Sequence, residues 1–145
     1  MGFLTWKVAR VAANDLAARF AAVGISVSVE QWRALIPLYK CDGLTQGRLC
    51  ELLSQEKTGV SRLVAGLEKH GLLRRMCSVD DRRVKRLFIT DAGRELIDST
   101  LDMIDASRDA MVEGVDPEDL AVCKRVLWQI LLPTLKGQGC CTETE

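Results

Sequence analysis

The sequence has little of what metal sites and membrane segments require. Histidine occurs once, at His70, and none of the six cysteines stands in the C-x-x-C spacing of zinc sites. The longest stretches without a charged residue, 20–29 and 126–135, have ten residues each, about half of what a membrane-spanning helix needs. No basic segment followed by an apolar core opens the chain, so we predict no secretory signal. Together these observations predict a cytoplasmic protein with no membrane association and no metal or other cofactor.

Features that would indicate catalysis are also missing. The sequence contains no phosphate-binding loop, and no serine or cysteine is placed to pair with His70. We therefore predict that the protein is not an enzyme. In a cytosolic chain the cysteines are expected to be reduced thiols. A thiol-based redox sensor stays open as an alternative, with these candidates: Cys41, Cys50, Cys77 and the pair Cys140 and Cys141.

What the sequence does have is one domain's worth of apolar residues and an uneven distribution of charge. The 145 residues are 48% hydrophobic and have a formal net charge of zero, which suits a single domain, 1–145. Segment 57–86 nevertheless carries nine basic residues against three acidic ones, whereas segment 91–119 carries ten acidic residues against two basic ones. A basic segment joined to an acidic body indicates a nucleic-acid-binding surface in the basic part.

The basic segment also has the pattern of a helix followed by a hairpin. Apolar residues at helical spacing, from Val60 to Leu67, predict a helix that ends at Gly71. Segments 72–77 and 83–89 predict two strands joined by a turn at 78–82. A short helix, 44–53, capped by Thr45, precedes them. Two helices and a hairpin in this order predict a winged helix-turn-helix.

Two motifs extend this pattern to a family resemblance. The hairpin reads Asp81-x-Arg83-x-x-x-Leu87-x-Ile89-Thr90-x-x-Gly93, and the second helix reads Val60-Ser61-Arg62-Leu63-Val64-x-x-Leu67-Glu68-x-x-Gly71-Leu72-Leu73. With them, nearly the whole chain resembles the MarR family of transcriptional regulators. The resemblance implies a mainly α fold with a small β-hairpin wing, flanked by N- and C-terminal dimerisation helices. The predicted divisions are N-terminal helices at 1–43, the winged helix-turn-helix at 44–93, dimerisation helices at 94–137 and a flexible tail at 138–145.

Three positions depart from the family pattern. Glu56 stands where many relatives have a serine at the start of the second helix, which puts a like charge near DNA phosphate. Gly66 lies inside that helix, where a glycine costs about 1 kcal/mol relative to alanine, so it marks either close packing or a weak point. Pro37 interrupts the helix predicted at 29–41 and predicts a kink or an early end.

Helices are predicted on both sides of the winged helix-turn-helix. Segment 1–22 has an apolar stripe, and a capping box of Ser28 and Gln31 opens the helix at 29–41, whose inner face we expect at Trp32, Ile36 and Tyr39. Thr90 caps a helix from 91 to about 113, and Asp116 begins a last helix that Pro133 and Gly137 finish. The apolar stripes of the first and last helices exceed what one chain can cover. A homodimer with two-fold symmetry is predicted, with a monomer as the alternative.

The DNA contacts follow from the way such helices dock. The second helix enters the major groove with its N-terminal end at the bases, where an arginine can grip guanine with two donors. We expect Lys57, Thr58, Ser61 and Arg62 at this end. Thr45, Gln46, Arg48 and Lys69 are expected to contact phosphates. The alternative for Arg62 is a phosphate contact or an ion pair near Glu68.

The resemblance assigns a second contact to the wing. It implies that Arg83 enters the minor groove while Asp81 orients its guanidinium, and narrow A·T-rich grooves attract such an arginine. Arg82, Lys85 and Arg86 would add phosphate contacts. A salt bridge between Asp81 and Arg83 that only stiffens the hairpin is the alternative, and the two roles are compatible.

Relatives of this kind commonly respond to an effector, which suggests a ligand site in the helical body. A small aromatic or anionic effector would suit an arginine beside aromatic side chains, with these residues as walls: Trp32, Arg33, Ile36 and Tyr39. The alternative is that Trp32 and Tyr39 belong to the core.

These patterns favour one function. We predict a sequence-specific regulator of transcription that binds double-stranded DNA, acting as a ligand-responsive repressor and as a homodimer on a palindromic operator. A winged helix that associates only with proteins is the alternative from another class.

Overall fold

Local sequence sets the boundaries of most elements in this chain. The structure is a computed structural model that describes residues 1–77 and 84–135. The helices are α1 (Gly2–Ala22), α2 (Val29–Lys40), α3 (Gln46–Leu53), α4 (Lys57–Lys69), α5 (Asp91–Met111) and α6 (Pro117–Leu135). The strands are β1 (Leu44–Thr45), β2 (Leu73–Cys77) and β3 (Lys85–Ile89). The architecture is mainly α-helical with one small sheet, as the sequence predicts.

Side-chain caps begin four of the helices at the predicted places, including α6, where Asp116 Oδ1 accepts the Glu118 N–H at 2.7 Å. Ser28 Oγ accepts the Gln31 N–H at 3.1 Å while Gln31 Oε1 accepts the Ser28 N–H at 2.9 Å, which completes the predicted capping box of α2. Thr45 Oγ1 accepts the Arg48 N–H at 3.2 Å, and Thr90 Oγ1 accepts the Gly93 N–H at 3.1 Å. Each cap satisfies a backbone donor that the helix itself leaves unpaired.

The sheet has a third strand that the sequence analysis did not predict. Leu44 was expected to begin the first helix of the motif, but Leu44 and Thr45 form β1 and pair antiparallel with Leu87 and Arg86 of β3. The strand order is β1-β3-β2, so β3 lies in the centre. The prediction was wrong because Thr45 is the N-cap of α3, and an N-cap residue has extended backbone that can join a neighbouring strand edge.

Several predicted boundaries also needed correction. α2 continues past Pro37 to Lys40, so the helix does not end early at the proline. α6 ends at Leu135, between Pro133 and Gly137 as predicted. A proline inside a helix removes one backbone hydrogen bond and crowds the carbonyl four residues earlier, but buried neighbours such as Leu35 and Leu38 keep the last turn of α2 in place. β3 begins at Lys85, two residues later than predicted, and Arg83 lies outside the described residues.

The core lies where α2, α4 and the sheet meet. Its fully buried side chains include Leu35 and Leu38 of α2, Val64 and Leu67 of α4, and Leu87 of β3. The buried face of α2 is not the one that was predicted. Trp32 is buried, but Ile36 and Tyr39 are only half-buried, because α2 packs against α4, α5 and β3 at once and turns Leu35 and Leu38 into the core.

The first and last helices contribute little to this core. Of α1, only Leu16 and Phe20 are buried, and every residue of its first ten positions is exposed. In α6 Leu120 is half-buried, and the other residues whose burial the structure describes are exposed. None of the helices in the described parts of the chain is both long enough and apolar enough to cross a membrane.

Candidate nucleic-acid interface

Helix α4 packs against the rest of the chain on one side, and its other side faces solvent. Val60, Val64 and Leu67 are completely buried, as their spacing predicts, and α4 packs on α2 and α3. Gly66 faces α2 so closely that a Cβ atom there would overlap Nε2 of Gln31. Since Gln31 is itself fixed by the capping box of α2, the glycine marks close packing between the two helices.

The open side of α4 carries the predicted reading residues. Lys57, Thr58, Arg62 and Lys69 are exposed, and Ser61 is half-buried beside them. Glu56 is the N-cap residue, and its side chain makes no capping hydrogen bond. Glu68 forms its ion pair with Arg75 of β2, with Oε2 and Nε 3.2 Å apart, and Arg62 forms no ion pair with any residue of the described ranges. The guanidinium of Arg62 is therefore presented to solvent at the N-terminal half of the helix.

Helix α3 places its polar residues beside the start of α4. Thr45 is occupied as the N-cap, Gln46 is half-buried, and Nη1 of Arg48 lies 2.8 Å from Oε2 of Glu51. The ion pair neutralises part of the charge that Arg48 would offer to a phosphate. Of the three residues, Gln46 at the first position of α3 is the one with no cap or ion pair among the described contacts.

The described part of the wing consists of β2 and β3, which pair antiparallel from Leu73 and Ile89 to Cys77 and Lys85. Lys85 is exposed at the outer end of β3. Arg86 is also exposed, and its Nη1 donates to the carbonyl oxygen of Gly43 at 3.0 Å, which ties the wing to the turn before β1. The predicted contacts Asp81, Arg82 and Arg83 lie outside the described residues.

The end of α4 is connected rigidly to the wing and to α5. Gly71 has φ of +70°, a left-handed conformation that ends the helix and that glycine adopts without strain. Thr90 Oγ1 donates to the Gly71 carbonyl at 2.7 Å, and the Thr90 N–H donates to the Leu72 carbonyl at 3.1 Å. A Cβ atom at Gly93 would overlap the Leu72 carbonyl oxygen, so the start of α5 rests directly on this turn.

Charge follows the same division of the molecule. Among the described basic residues of segment 57–86 all are exposed except Arg75, which is half-buried. The ten acidic residues of segment 91–119 are exposed on α5, on α6 and in the loop between them. The positive surface therefore coincides with α4 and the wing, as a phosphate backbone would require.

Comparisons with known proteins bear on this geometry. A model described as the MarR family matches residues 23–84. The solved transcriptional regulator PA3341 is 30% identical and superposes with a TM-score of 0.75 over 91% of this chain and 96% of that chain. The chain belongs to the MarR family. The predicted family and the winged helix-turn-helix fold are thereby confirmed.

Two further proteins resemble this chain, one in structure and one in sequence. The DNA complex of MepR from S. aureus matches with a TM-score of 0.79 at 23% identity, over 91% of this chain and 96% of MepR. The transcriptional regulator PapX of Escherichia coli is 30% identical over 80 residues, which are 55% of this chain and 49% of PapX. The chain spans about half the length of the curated relatives it matches first.

In this MarR-family chain the four predicted effector residues have different surroundings. Trp32 is buried and its Nε1 donates to Thr100 Oγ1 at 3.0 Å. The Tyr39 hydroxyl donates to Asp98 Oδ1 at 2.5 Å, and this hydrogen bond raises the pKa of Tyr39. Ile36 is half-buried in α2, and Arg33 alone of the four lines an open groove of about 370 Å³ between α1 and the start of α2.

The groove beside Arg33 has a mixed polar and apolar lining, in which two arginines outnumber one carboxylate, that of Glu30. The small side chains of the α1 alanines make room for the groove, and its walls include Trp6, Arg10, Phe20 and Val29. The guanidinium of Arg10 lies 6.0 Å from the centre of the Trp6 ring. Two arginines beside an aromatic ring are chemically suited to an anionic aromatic molecule. Whether an effector uses these residues stays a prediction.

Neither the cysteines nor the acidic residues form a metal site in the parts that the structure describes. Cys41, Cys50, Cys77 and Cys123 form no disulfide there, and no group of three or more potential ligands comes together. Cys140 and Cys141 lie outside the described residues.

No sequence pattern pointed to Asp42 and Arg94, whose contacts join the wing to α5. The only signal at Asp42 was its place in an Asp-Gly turn.

Proposed function

We propose that this MarR-family protein is a sequence-specific, DNA-binding regulator of transcription that acts as a homodimer. The observation that carries the proposal is the division of α4: one side is buried by α2 and α3, and the other presents Lys57, Thr58 and Arg62 to solvent. A helix of this length and charge can lie in the major groove of B-form DNA. That MepR, which shares the fold, has been solved with DNA supports the same use.

The roles of the residues follow from their surroundings. Arg62 has no ion pair among the described residues, so its donors are available to the O6 and N7 atoms of a guanine. Thr58 and Ser61 are in position for a base edge or a phosphate, while Lys57 and Lys69 suit phosphates at the two ends of the helix. Thr45, Gln46 and Arg48 would contact phosphates of the DNA backbone.

Dimerisation is supported by the apolar surface of the outer helices. Trp128, Ile130 and Leu131 of α6 expose 47%, 50% and 49% of their surface, and Phe3 of α1 exposes 71%. Large apolar side chains exposed together along one helix are typical of a surface that another protein covers. A second copy of the same surfaces would bury it with two-fold symmetry and would match a palindromic operator.

Repression and a response to an effector form the second part of the proposal. A dimer that covers an operator blocks transcription by occupying the promoter, which makes repression the simplest outcome. The groove lined by Arg10, Arg33 and Trp6 supports an anionic aromatic effector by its chemistry. Differential binding of that effector to free and DNA-bound protein would be needed for release.

The experiment is selection of duplexes from a random pool, followed by binding of the selected operator at several salt concentrations. The logarithm of the wild-type binding constant should fall linearly with the logarithm of salt concentration. Arg62→Ala should cost about 1–3 kcal/mol at one base-pair position and relax discrimination there. Arg108→Ala is the matched control, because it removes an arginine that pairs with Asp105 on α5. Absence of duplex binding at low salt would favour the protein-association module instead.

The wing contact inferred from the family resemblance can be tested with the same operator. Arg83→Ala should weaken binding to every duplex, most of all to sites with A·T-rich flanks, and should lower the salt slope by about one unit. If this variant binds all sites like the wild type, the minor-groove part of the proposal fails while the role of α4 stands.

A further inference from the structure

We propose that Asp42 and Arg94 are positioning residues for DNA binding, which hold wing strand β3 in a fixed place relative to α5 and to α4 without contacting DNA themselves. The inference rests on the proposed function, since it concerns how the DNA-binding surface is set. Neither residue lies on the exposed side of α4 or at the outer end of the wing. Their importance lies in which elements they connect.

One carboxylate joins three parts of the chain. Asp42 Oδ1 accepts the N–H of Ile89 at 2.9 Å and the N–H of Gly43 at 3.2 Å, while Oδ2 accepts from Arg94 Nη2 at 3.1 Å. Ile89 ends β3, Gly43 precedes β1, and Arg94 lies in the first turn of α5. Ile89 and Arg94 are 47 and 52 positions from Asp42 in sequence. Their hydrogen bonds to Asp42 therefore fix tertiary geometry.

Arg94 is in turn oriented by the end of α2. Its Nη1 donates to the Tyr39 carbonyl oxygen at 3.4 Å, and its guanidinium carbon lies 5.8 Å from the centre of the Tyr39 ring. A cation near the last carbonyls of a helix is favourable, because those carbonyls have no partner within the helix. The Tyr39 hydroxyl then donates to Asp98, one turn further along α5. Arg94 and Asp98 thus hold the last turn of α2 from one face of α5.

The position of β3 matters because β3 is the central strand of the sheet. It pairs with β1 on one side and β2 on the other, and its outer end carries Lys85 and Arg86. Strand β2 follows directly after α4. The wing and α4 must both fit one duplex, so a change in the angle between them would cost affinity even if every contact residue were intact.

The experiment uses two substitutions that change the charge in opposite directions. Asp42→Ala removes a negative charge and Arg94→Gln removes a positive charge, so a general electrostatic effect on DNA would strengthen binding in the first and weaken it in the second. Positioning predicts that both weaken binding to the selected operator, by between about twofold and thirtyfold. It also predicts that the double variant is little worse than either single one, because both act through one connection.

The salt dependence separates positioning from direct contact. Loss of a phosphate contact lowers the salt slope by about one unit, whereas Arg94→Gln should leave the slope unchanged. Arg108→Gln, which removes another arginine of α5 together with its ion pair, is the control and should bind like the wild type. The backbone amide signal of Ile89 in a ¹H–¹⁵N spectrum should move in Asp42→Ala, which would show that the hydrogen bond exists in solution.

A milder variant keeps the test informative if Arg94→Gln folds poorly. Tyr39→Phe removes only the hydroxyl that reaches Asp98 and should weaken operator binding in the same direction by a smaller factor. Unchanged binding by Asp42→Ala, Arg94→Gln and Tyr39→Phe, or a slope reduced by about one unit in Arg94→Gln, would overturn this inference alone. Wild-type protein that binds no duplex would overturn the proposed function and this inference with it.

Discussion

Helices α4 and α6 both carry regular apolar stripes, but the chain buries only one of them. Val60, Val64 and Leu67 of α4 are completely buried, whereas Leu127, Ile130 and Leu131 of α6 remain 40%, 50% and 49% exposed. The difference lies in what surrounds each helix. α4 is enclosed by α2, α3 and β2, while α6 extends from the end of α5 with few contacts to the rest of the chain.

This contrast separates a region with its own core from one whose apolar side chains stay exposed in the described chain. The winged helix-turn-helix has its core within a single chain, so its stability should be a property of the monomer. The apolar stripe of α6 is not covered by any part of the chain that the structure describes, so in the proposed homodimer its contribution should depend on the concentration of a second copy.

Ile130→Glu should have the largest effect, because it places a charge in the middle of the α6 stripe. Burying an unpaired carboxylate costs several kcal/mol, so the dissociation constant of the dimer should rise by at least about a hundredfold. Sedimentation velocity over a series of concentrations measures it. Gln129→Glu adds the same charge at the neighbouring, already polar position and should change association much less. A wild-type protein that sediments as a monomer at micromolar concentration would refute the proposed role of α6.

Leu67→Ala should destabilise the region with its own core. The side chain is completely buried in α4, so its truncation should lower the free energy of unfolding by about 2–5 kcal/mol. Urea unfolding measures this loss, and association of the dimer should change little. Leu131→Ala removes the same atoms from α6 and should instead weaken the dimer. Both variants behaving alike in the two assays would remove the distinction between the regions.

Gly93→Ala tests the contact between α5 and the turn after α4. The added methyl group would overlap the Leu72 carbonyl oxygen and lie 2.7 Å from Cγ1 of Ile89, which should lower the free energy of unfolding by about 1–3 kcal/mol. Thermal or urea unfolding gives the value. Gly59→Ala is the control in α4, where the methyl group has ordinary space, and helix propensity should make it neutral or stabilising by up to about 1 kcal/mol. Equal effects would mean that the turn and α5 can move apart freely.

Asp15→Asn should have the smallest effect and should depend on pH. Ser107 Oγ of α5 donates to Asp15 Oδ2 at 2.6 Å, and Arg19 pairs with the same oxygen at 2.7 Å. These contacts lower the pKa of Asp15 below its ordinary value of 3.8 in the folded protein. The stabilisation is therefore present above that value and is lost as the pH falls through the folded pKa.

The measurement for Asp15 is unfolding by urea from neutral pH down to about pH 3. Wild-type stability should fall more steeply with acid than that of Asp15→Asn, since only the wild type loses this contact by protonation. Asp102→Asn, which changes an exposed carboxylate of α5 instead of one of α1, should follow the wild-type curve. Identical curves for Asp15→Asn and the wild type would show that the link between α1 and α5 contributes nothing in solution.

Local signals predicted much of the fold correctly. The capping box at Ser28, the caps at Thr45 and Thr90 and the buried stripe of α4 depend on residues within one turn of each other, so their spacing in sequence is enough to place them. The exposed residues Lys57, Thr58 and Arg62 follow from the same stripe, because the side opposite a buried face is the one left open. The motifs of α4 and the hairpin then predicted the family.

The errors share a different cause. β1 at Leu44 exists because β3 offers it an edge, and α2 turns Leu35 and Leu38 inward because three elements pack on it at once. The predicted ligand-site role of Trp32 and Tyr39 stays a prediction, but the sequence did not indicate that their polar atoms bond to Thr100 and Asp98 of α5, more than fifty residues away. No local pattern contains these neighbours.

The sequence by itself therefore determined the helices, their caps, the basic face of α4 and the membership in the MarR family, since short-range spacing and motif residues specify all of these. Packing of the whole chain was needed to establish that Asp42 connects β3 with α5, that Gly93 must lack a side chain, and that Arg75 pairs with Glu68. Hydrogen bonds and close contacts between distant segments depend on the relative positions of whole elements, which packing fixes only when the chain has folded.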